Sequence, residues 1–116
     1  MRTSLLAMAL GLFFSSSALA DPVGGTKVDE DLLRPEQQVQ YTIALRGGEQ
    51  TLFTLRGDGD GDIDCCLFSS SGLRLKCDVD ETDICSISFW PSSTGVFYFR
   101  AVNSGRSASY YTFVAR

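Results

Sequence analysis

The chain has no histidine. That removes the base of a Ser-His-Asp triad, so its many serines have no partner to activate them. It also removes the side chain that titrates near neutral pH and the commonest metal ligand. Lys27 and Lys76 are the lysines, and neither stands in a serine–lysine motif. No C-x-x-C pair occurs, which argues against a structural zinc site and a thioredoxin-type redox centre. Positive charge is scarce: ten Lys and Arg stand against fourteen Asp and Glu. Phosphate backbones need concentrated Lys and Arg, so nucleic acid is not an expected partner. Beyond residue 20 no apolar run is long enough to cross a bilayer. These absences together predict a chain that is not an enzyme.

The first twenty residues read as a secretory signal peptide. Arg2 gives a short positive start, residues 5–14 are apolar, and Ser17-Ala18-Leu19-Ala20 supplies a small-x-small cleavage site before Asp21. Cleavage there leaves 116 − 20 = 96 residues, with 9 basic against 14 acidic groups, and no membrane insertion afterwards. That is one small domain with a modest core. A periplasmic or secreted location follows, and it suits the four cysteines, Cys65, Cys66, Cys77 and Cys85. An even count behind a signal peptide predicts two disulfides.

Residues 21–40 read as a polar leader with an edge strand at most. Asp29-Glu30-Asp31-Leu32-Leu33 could make a helical turn that Pro35 stops. From Tyr41 the period becomes two. Tyr41, Ile43 and Leu45 alternate with polar neighbours, Gly47-Gly48 punctuates, and Thr51, Phe53 and Leu55 resume the alternation. This predicts a hairpin or a tight corner between strands. Residues 63–68, 73–77 and 84–90 are further strand candidates, and 96–102 with 110–114 reads as a closing hairpin. No helical period competes. The expected fold is an all-β, antiparallel, jelly-roll-like sandwich over residues 41–116, bonded by disulfides.

The densest chemistry lies in Asp58-Gly-Asp60-Gly-Asp62-Ile63-Asp64. A left-handed Gly72 closing a three-residue loop sets Ser69 opposite Leu73. The same register sets Cys65 opposite Cys77, Asp64 opposite Asp78 and Asp62 opposite Asp80. Facing like charges destabilise a strand pair, and a hard cation held by carboxylate oxygens would relieve them. Calcium is therefore the candidate ligand, with Asp58, Asp60, Asp62, Asp64, Asp78 and Asp80 as its donors; no cofactor is required. An EF-hand is excluded, because Ile63 stands where that loop needs glycine and Ser69 where it needs glutamate. The bland alternative is a solvated acidic turn. For the disulfides the register favours Cys65–Cys77 and Cys66–Cys85. The rival is Cys77–Cys85 with a vicinal Cys65–Cys66 bond.

Several short motifs occur in a familiar order. Tyr41-Thr-Ile-Ala-Leu precedes Gly48-Glu-Gln-Thr-Leu-Phe. The glycine–aspartate turn then precedes an apolar strand and Ser71-Gly72-Leu73. Gly95-Val96-Phe97-Tyr98 and Tyr110-Tyr111-Thr112-Phe113 follow. From Tyr41 onward the chain resembles the bacterial pre-peptidase C-terminal domain, a calcium-associated jelly-roll-like sandwich. Family members usually hang from a secreted hydrolase, whereas this domain reads as stand-alone. The four cysteines are not a general family feature.

The functional expectation is an exported binding module that recognises a protein or polysaccharide surface. Tyr98, Arg100, Tyr110 and Tyr111 are the candidate surface residues. The alternative is a small inhibitor or chaperone of an exported hydrolase, using a loop at 91–95 or 103–107.

Overall fold

Strict alternation of apolar and polar residues is realised as eight strands among the described residues, which are 22–59 and 61–116 of a computed structural model. The signal-peptide segment and Asp60 lie outside them. The strands are β1 (Lys27–Leu33), β2 (Gln38–Leu45), β3 (Thr51–Arg56), β4 (Ile63–Ser69), β5 (Arg74–Asp78), β6 (Ile84–Phe89), β7 (Gly95–Asn103) and β8 (Ser109–Ala115). Sheet one has the order β1-β8-β3-β6 and sheet two the order β2-β7-β4-β5. Every pairing is antiparallel. The pairs β4–β5, β3–β6, β2–β7 and β1–β8 nest inside one another, so the chain is one long hairpin rolled into two layers. That is the jelly-roll arrangement.

The core is built from odd-numbered residues. Val39, Tyr41, Ile43 and Leu45 of β2, Phe53 and Leu55 of β3, and Ile63 and Leu67 of β4 are all buried, as are Phe99, Tyr111 and Phe113. A period of two turns one face of each strand inward. Rings from opposite sheets interlock: Tyr41 stacks on Phe113 at 4.0 Å between centroids, and Phe53 on Phe99 at 5.4 Å. Each such side chain contributes about 1.5–3 kcal/mol by leaving water. The Tyr41 hydroxyl crosses the interior to donate to Asp29 Oδ2 at 2.6 Å and lies 2.6 Å from the Tyr111 hydroxyl. Burial first, and then the bond to Asp29, push its ionisation far above the usual phenol range.

Two open readings are decided and one local expectation changes. Residues 27–33 form a full edge strand rather than a helical turn, paired with β8 at seven positions. The Gly47-Gly48 break is a corner and not a hairpin, since β2 and β3 belong to different sheets. Gly47 allows it because a Cβ there would lie 2.6 Å from the Ser93 backbone. The closing segments are likewise no hairpin: β7 and β8 lie in different sheets. Asn103 makes that crossing. Its fully buried amide donates to the Leu33 and Ser107 carbonyls, each at 2.9 Å, and its carbonyl accepts from the Gly105 N–H.

The disulfide pairing is also corrected. The bonds are Cys65–Cys85 and Cys66–Cys77, not Cys65–Cys77 and Cys66–Cys85. The turn itself is as read, with Gly72 at φ +91° and the Ser69 N–H bonded to the Leu73 carbonyl. Phe68 faces Arg74 as that register requires. A bulge then intervenes, so that Leu67 faces Lys76, Cys66 faces Cys77 and Cys65 faces Asp78. Leu75 is the extra residue. A slip of one residue exchanges the faces of a strand. Cys66 therefore meets Cys77 on the outer face, while core-facing Cys65 reaches across to Cys85 in the other sheet, with Cα atoms 6.2 Å apart.

Candidate functional site

The connections 34–37, 57–59 with 61–62, 79–83 and 104–108 come together at one end of the sandwich. Backbone bonds stitch them: Ile63 N–H to the Thr82 carbonyl, Ser104 N–H to the Asp62 carbonyl, and Glu36 N–H to the Asn103 carbonyl. Most carboxylates described at this pole are engaged in holding loops. Asp58 accepts from the Ser109 hydroxyl at 3.1 Å and the Tyr110 N–H at 3.3 Å. Asp83, almost fully buried, accepts from the Gly59 N–H. Asp78 accepts from the Ser86 N–H at 2.9 Å, and Asp80 from the Thr82 hydroxyl at 2.8 Å. Asp64 Oδ2 accepts from the Ser104 hydroxyl at 2.7 Å.

Of the six carboxylates expected from the sequence, Asp60 lies outside the described residues, Asp58, Asp62 and Asp80 stand in the loops, and Asp64 and Asp78 in the adjoining strand ends. The bulge in β5 removes the face-to-face Asp64–Asp78 pair, because Asp78 stands opposite Cys65. Two oxygens of the pole remain unspent: Asp62 Oδ1 and Asp64 Oδ1 are shielded from water without a hydrogen-bond partner. Asp62 titrates above the usual carboxylate range. Desolvation is the main cause, followed by the charges of Asp64, Glu81 and Asp80. Among the described residues no three acidic or cysteine side chains group as a ready-made metal site.

The outer face of sheet two presents a different surface. Cross-strand register aligns Gln40, Arg100, Cys66 and Cys77 in one row, and Thr42, Tyr98, Phe68 and Arg74 in the next. Arg100 is exposed but held. Its Nε and Nη2 donate to Gln40 Oε1 at 3.1 and 2.9 Å, and its guanidinium carbon lies 4.5 Å from the centroid of Phe68. Tyr98 and Arg100 therefore share one surface. Tyr110 is 67% exposed, but it lies in β8 of the other sheet. Tyr111 is corrected: it is 3% exposed and belongs to the core, because odd positions of β8 point inward.

Sequence reading passed over Trp90. It is the only tryptophan of the chain and is 65% exposed. It follows β6 and opens the loop 90–94, which is fixed to the β2–β3 corner. The Gly48 N–H donates to the Pro91 carbonyl at 2.8 Å and the Gly47 N–H to Thr94 Oγ1 at 2.9 Å. Gln50, Lys76, Ser88 and Phe89 line a shallow hollow beside the indole. The signal was present in the sequence as an even-numbered tryptophan, off the core phase, set against a proline turn.

No family model and no curated protein matches the chain. Solved structures do. The pre-peptidase C-terminal domain of a collagenase from Bacillus anthracis superposes with a TM-score of 0.66 at 10% identity, over 78% of this chain and 89% of that one. PliG of Aeromonas hydrophila, a periplasmic lysozyme inhibitor of g-type lysozyme, superposes with a TM-score of 0.59 at 8% identity, over 91% of this chain and 92% of that one. At such identities the likeness concerns backbone architecture, and the architecture of this chain is that of the pre-peptidase C-terminal domain.

Proposed function

We propose that this protein is an exported, non-catalytic binding module that recognises the surface of another exported protein or a polysaccharide, and that its finer role is inhibition of an exported hydrolase. Export is supported by the N-terminal apolar run and by two disulfides, which persist outside the reducing cytosol. The observation that carries the binding role is Trp90, an exposed indole on a loop fixed to a rigid corner. Aromatic anchors of this kind dominate protein interfaces, and pre-ordering them reduces the entropy lost on association. The inhibitor reading is supported by the fold likeness to PliG, which spans nearly the whole of both chains.

The test is a g-type lysozyme turnover assay titrated with the oxidised protein, beside a parallel pull-down on insoluble peptidoglycan. Dose-dependent inhibition, weakened about 30-fold or more by Trp90→Ala as for an interface hot spot, supports the inhibitor role. Retention on peptidoglycan without inhibition moves the target to a polysaccharide. Neither result with any exported hydrolase or glycan tried would remove the Trp90 loop as a binding element.

We also propose calcium as a stabilising ligand of the acidic pole. The fit rests on Asp62 Oδ1 and Asp64 Oδ1, two shielded oxygens without donors. Calcium takes six to eight oxygens, and the rest of the shell would come from water and neighbouring loop carboxylates. A rise in melting temperature in millimolar Ca²⁺ over EGTA, absent with Mg²⁺ and absent in Asp62→Asn, is the expected result. Identical melting in all three solutions would leave a solvated acidic turn.

A further inference from the structure

The two disulfides occupy opposite environments. Cys65 and Cys85 are 2% and 0% exposed and face the core. Cys66 and Cys77 lie on the outer face of sheet two, with Cys77 exposed and Cys66 half-buried. Cys66 lines two surface hollows. It shares one of about 150 Å³ with Phe68 and Arg100, and another of about 420 Å³ with Cys77, Arg74 and Lys76. A small reductant can therefore approach this bond without opening the sandwich.

Charge favours the same bond. Arg100 stands opposite Cys66 in the β4–β7 register, and the contacts to Gln40 and Phe68 hold its guanidinium in place. Arg74 lies along the adjoining hollow. An arginine keeps its charge at every physiological pH. A fixed positive charge beside a sulfur stabilises its thiolate, and the better-stabilised thiolate is the faster leaving group in exchange.

We propose that Cys66–Cys77 is a site of reversible thiol–disulfide exchange with a dithiol reductant, and that Cys65–Cys85 is the permanent staple of the two sheets. In the first step a reductant thiolate attacks the exposed Cys77 Sγ. The Cys66–Cys77 bond breaks, and its electron pair leaves with Cys66 Sγ as a thiolate beside Arg100. A mixed disulfide remains on Cys77. In the second step the other thiolate of the reductant attacks its own sulfur in that mixed bond. Cys77 Sγ departs as a thiolate, and the reductant leaves as an internal disulfide. Two electrons pass to the protein, and the two protons given up by the dithiol protonate the two new thiols. Oxidation runs the same steps backward. The fold tolerates the open state, because β5 keeps its ladder to β4 and its side-chain bonds to β6, Lys76 Nζ to the Ser88 carbonyl and Asp78 Oδ2 from the Ser86 N–H.

The test uses the folded, oxidised protein in dithiothreitol without denaturant, quenched at intervals with iodoacetamide and mapped by mass spectrometry. Cys66 and Cys77 should label at least tenfold faster than Cys65 and Cys85, while circular dichroism stays native. Labelling of all four together, or at the rate of global unfolding, would overturn the proposal. The direction of attack is read separately with glutathione. The mixed disulfide should be trapped on Cys77, and Arg100→Gln should slow its formation several-fold where Arg100→Lys does not. Trapping on Cys66, or equal rates in both variants, would overturn the assigned leaving group.

Discussion

Removing each disulfide in turn should give unequal losses, and the order follows from the fold. A cross-link closing n residues restricts the unfolded chain by an entropy that grows with ln n. Cys65–Cys85 spans 20 residues and Cys66–Cys77 spans 11. The chain-entropy relation gives about 3.3 and about 2.8 kcal/mol for these loops at 25 °C. Loop length alone barely separates them; burial does. Replacing Cys65 and Cys85 by alanine also empties two sulfur-sized volumes in the core, at about 1 kcal/mol each. The outer pair leaves no comparable cavity. Cys65→Ala/Cys85→Ala should thus lose about 5 kcal/mol and Cys66→Ala/Cys77→Ala about 3 kcal/mol. A domain of about 95 residues shifts its melting temperature by roughly 4–8 °C per kcal/mol. The outer variant should melt about 10–20 °C below the parent and the core variant lower still, near the limit of a marginal domain. Guanidinium melts of both variants, referenced to the oxidised parent, measure the difference directly. Equal losses, or a larger loss from the outer pair, would refute the assignment of Cys65–Cys85 as the buried staple.

Two further outcomes test the acidic pole. Asn103→Ala should destabilise by roughly 2–4 kcal/mol in urea melts, since it leaves the Gly105 N–H and two carbonyls without their partner; a loss under about 1 kcal/mol would mean that water replaces the amide. Asp62 has a raised folded-state pKa, so the native state binds its proton more tightly than the unfolded state does. Stability attributable to this group is full below the unfolded carboxylate pKa, falls as pH rises towards the folded value, and the penalty stays above it. Asp62→Asn should therefore match the parent in strong acid and melt higher at neutral pH in EGTA. An unchanged difference between pH 3 and pH 7 would contradict that linkage.

What the sequence disclosed and what it hid divide along one line. Period-two alternation depends on local residue types, so the inward phase of β2, β3 and β4 is legible from the residues alone. Even the turn at Gly72 follows from one glycine. Sheet membership is not legible, because it depends on which strand closes over which, and the β2–β3 corner and the β7–β8 crossing look like hairpins. The disulfides fail for a sharper reason. Leu75 reads as an ordinary strand residue, yet as the extra residue of a bulge it exchanges the faces of everything beyond it. One alternation argument already points the right way. Cys85 lies in phase with buried Ile87, and only a core-facing partner could meet it, which Cys65 is and Cys66 is not. Trp90 follows the same logic in reverse. An apolar residue at an even position falls off the core phase and stays in water, as Val28 and Tyr110 also do. The aspartate run misleads through its conspicuousness. Asp58, Asp64, Asp78, Asp80 and Asp83 each find a donor in a strand or loop beside them, and that employment is invisible until the connections of the pole meet.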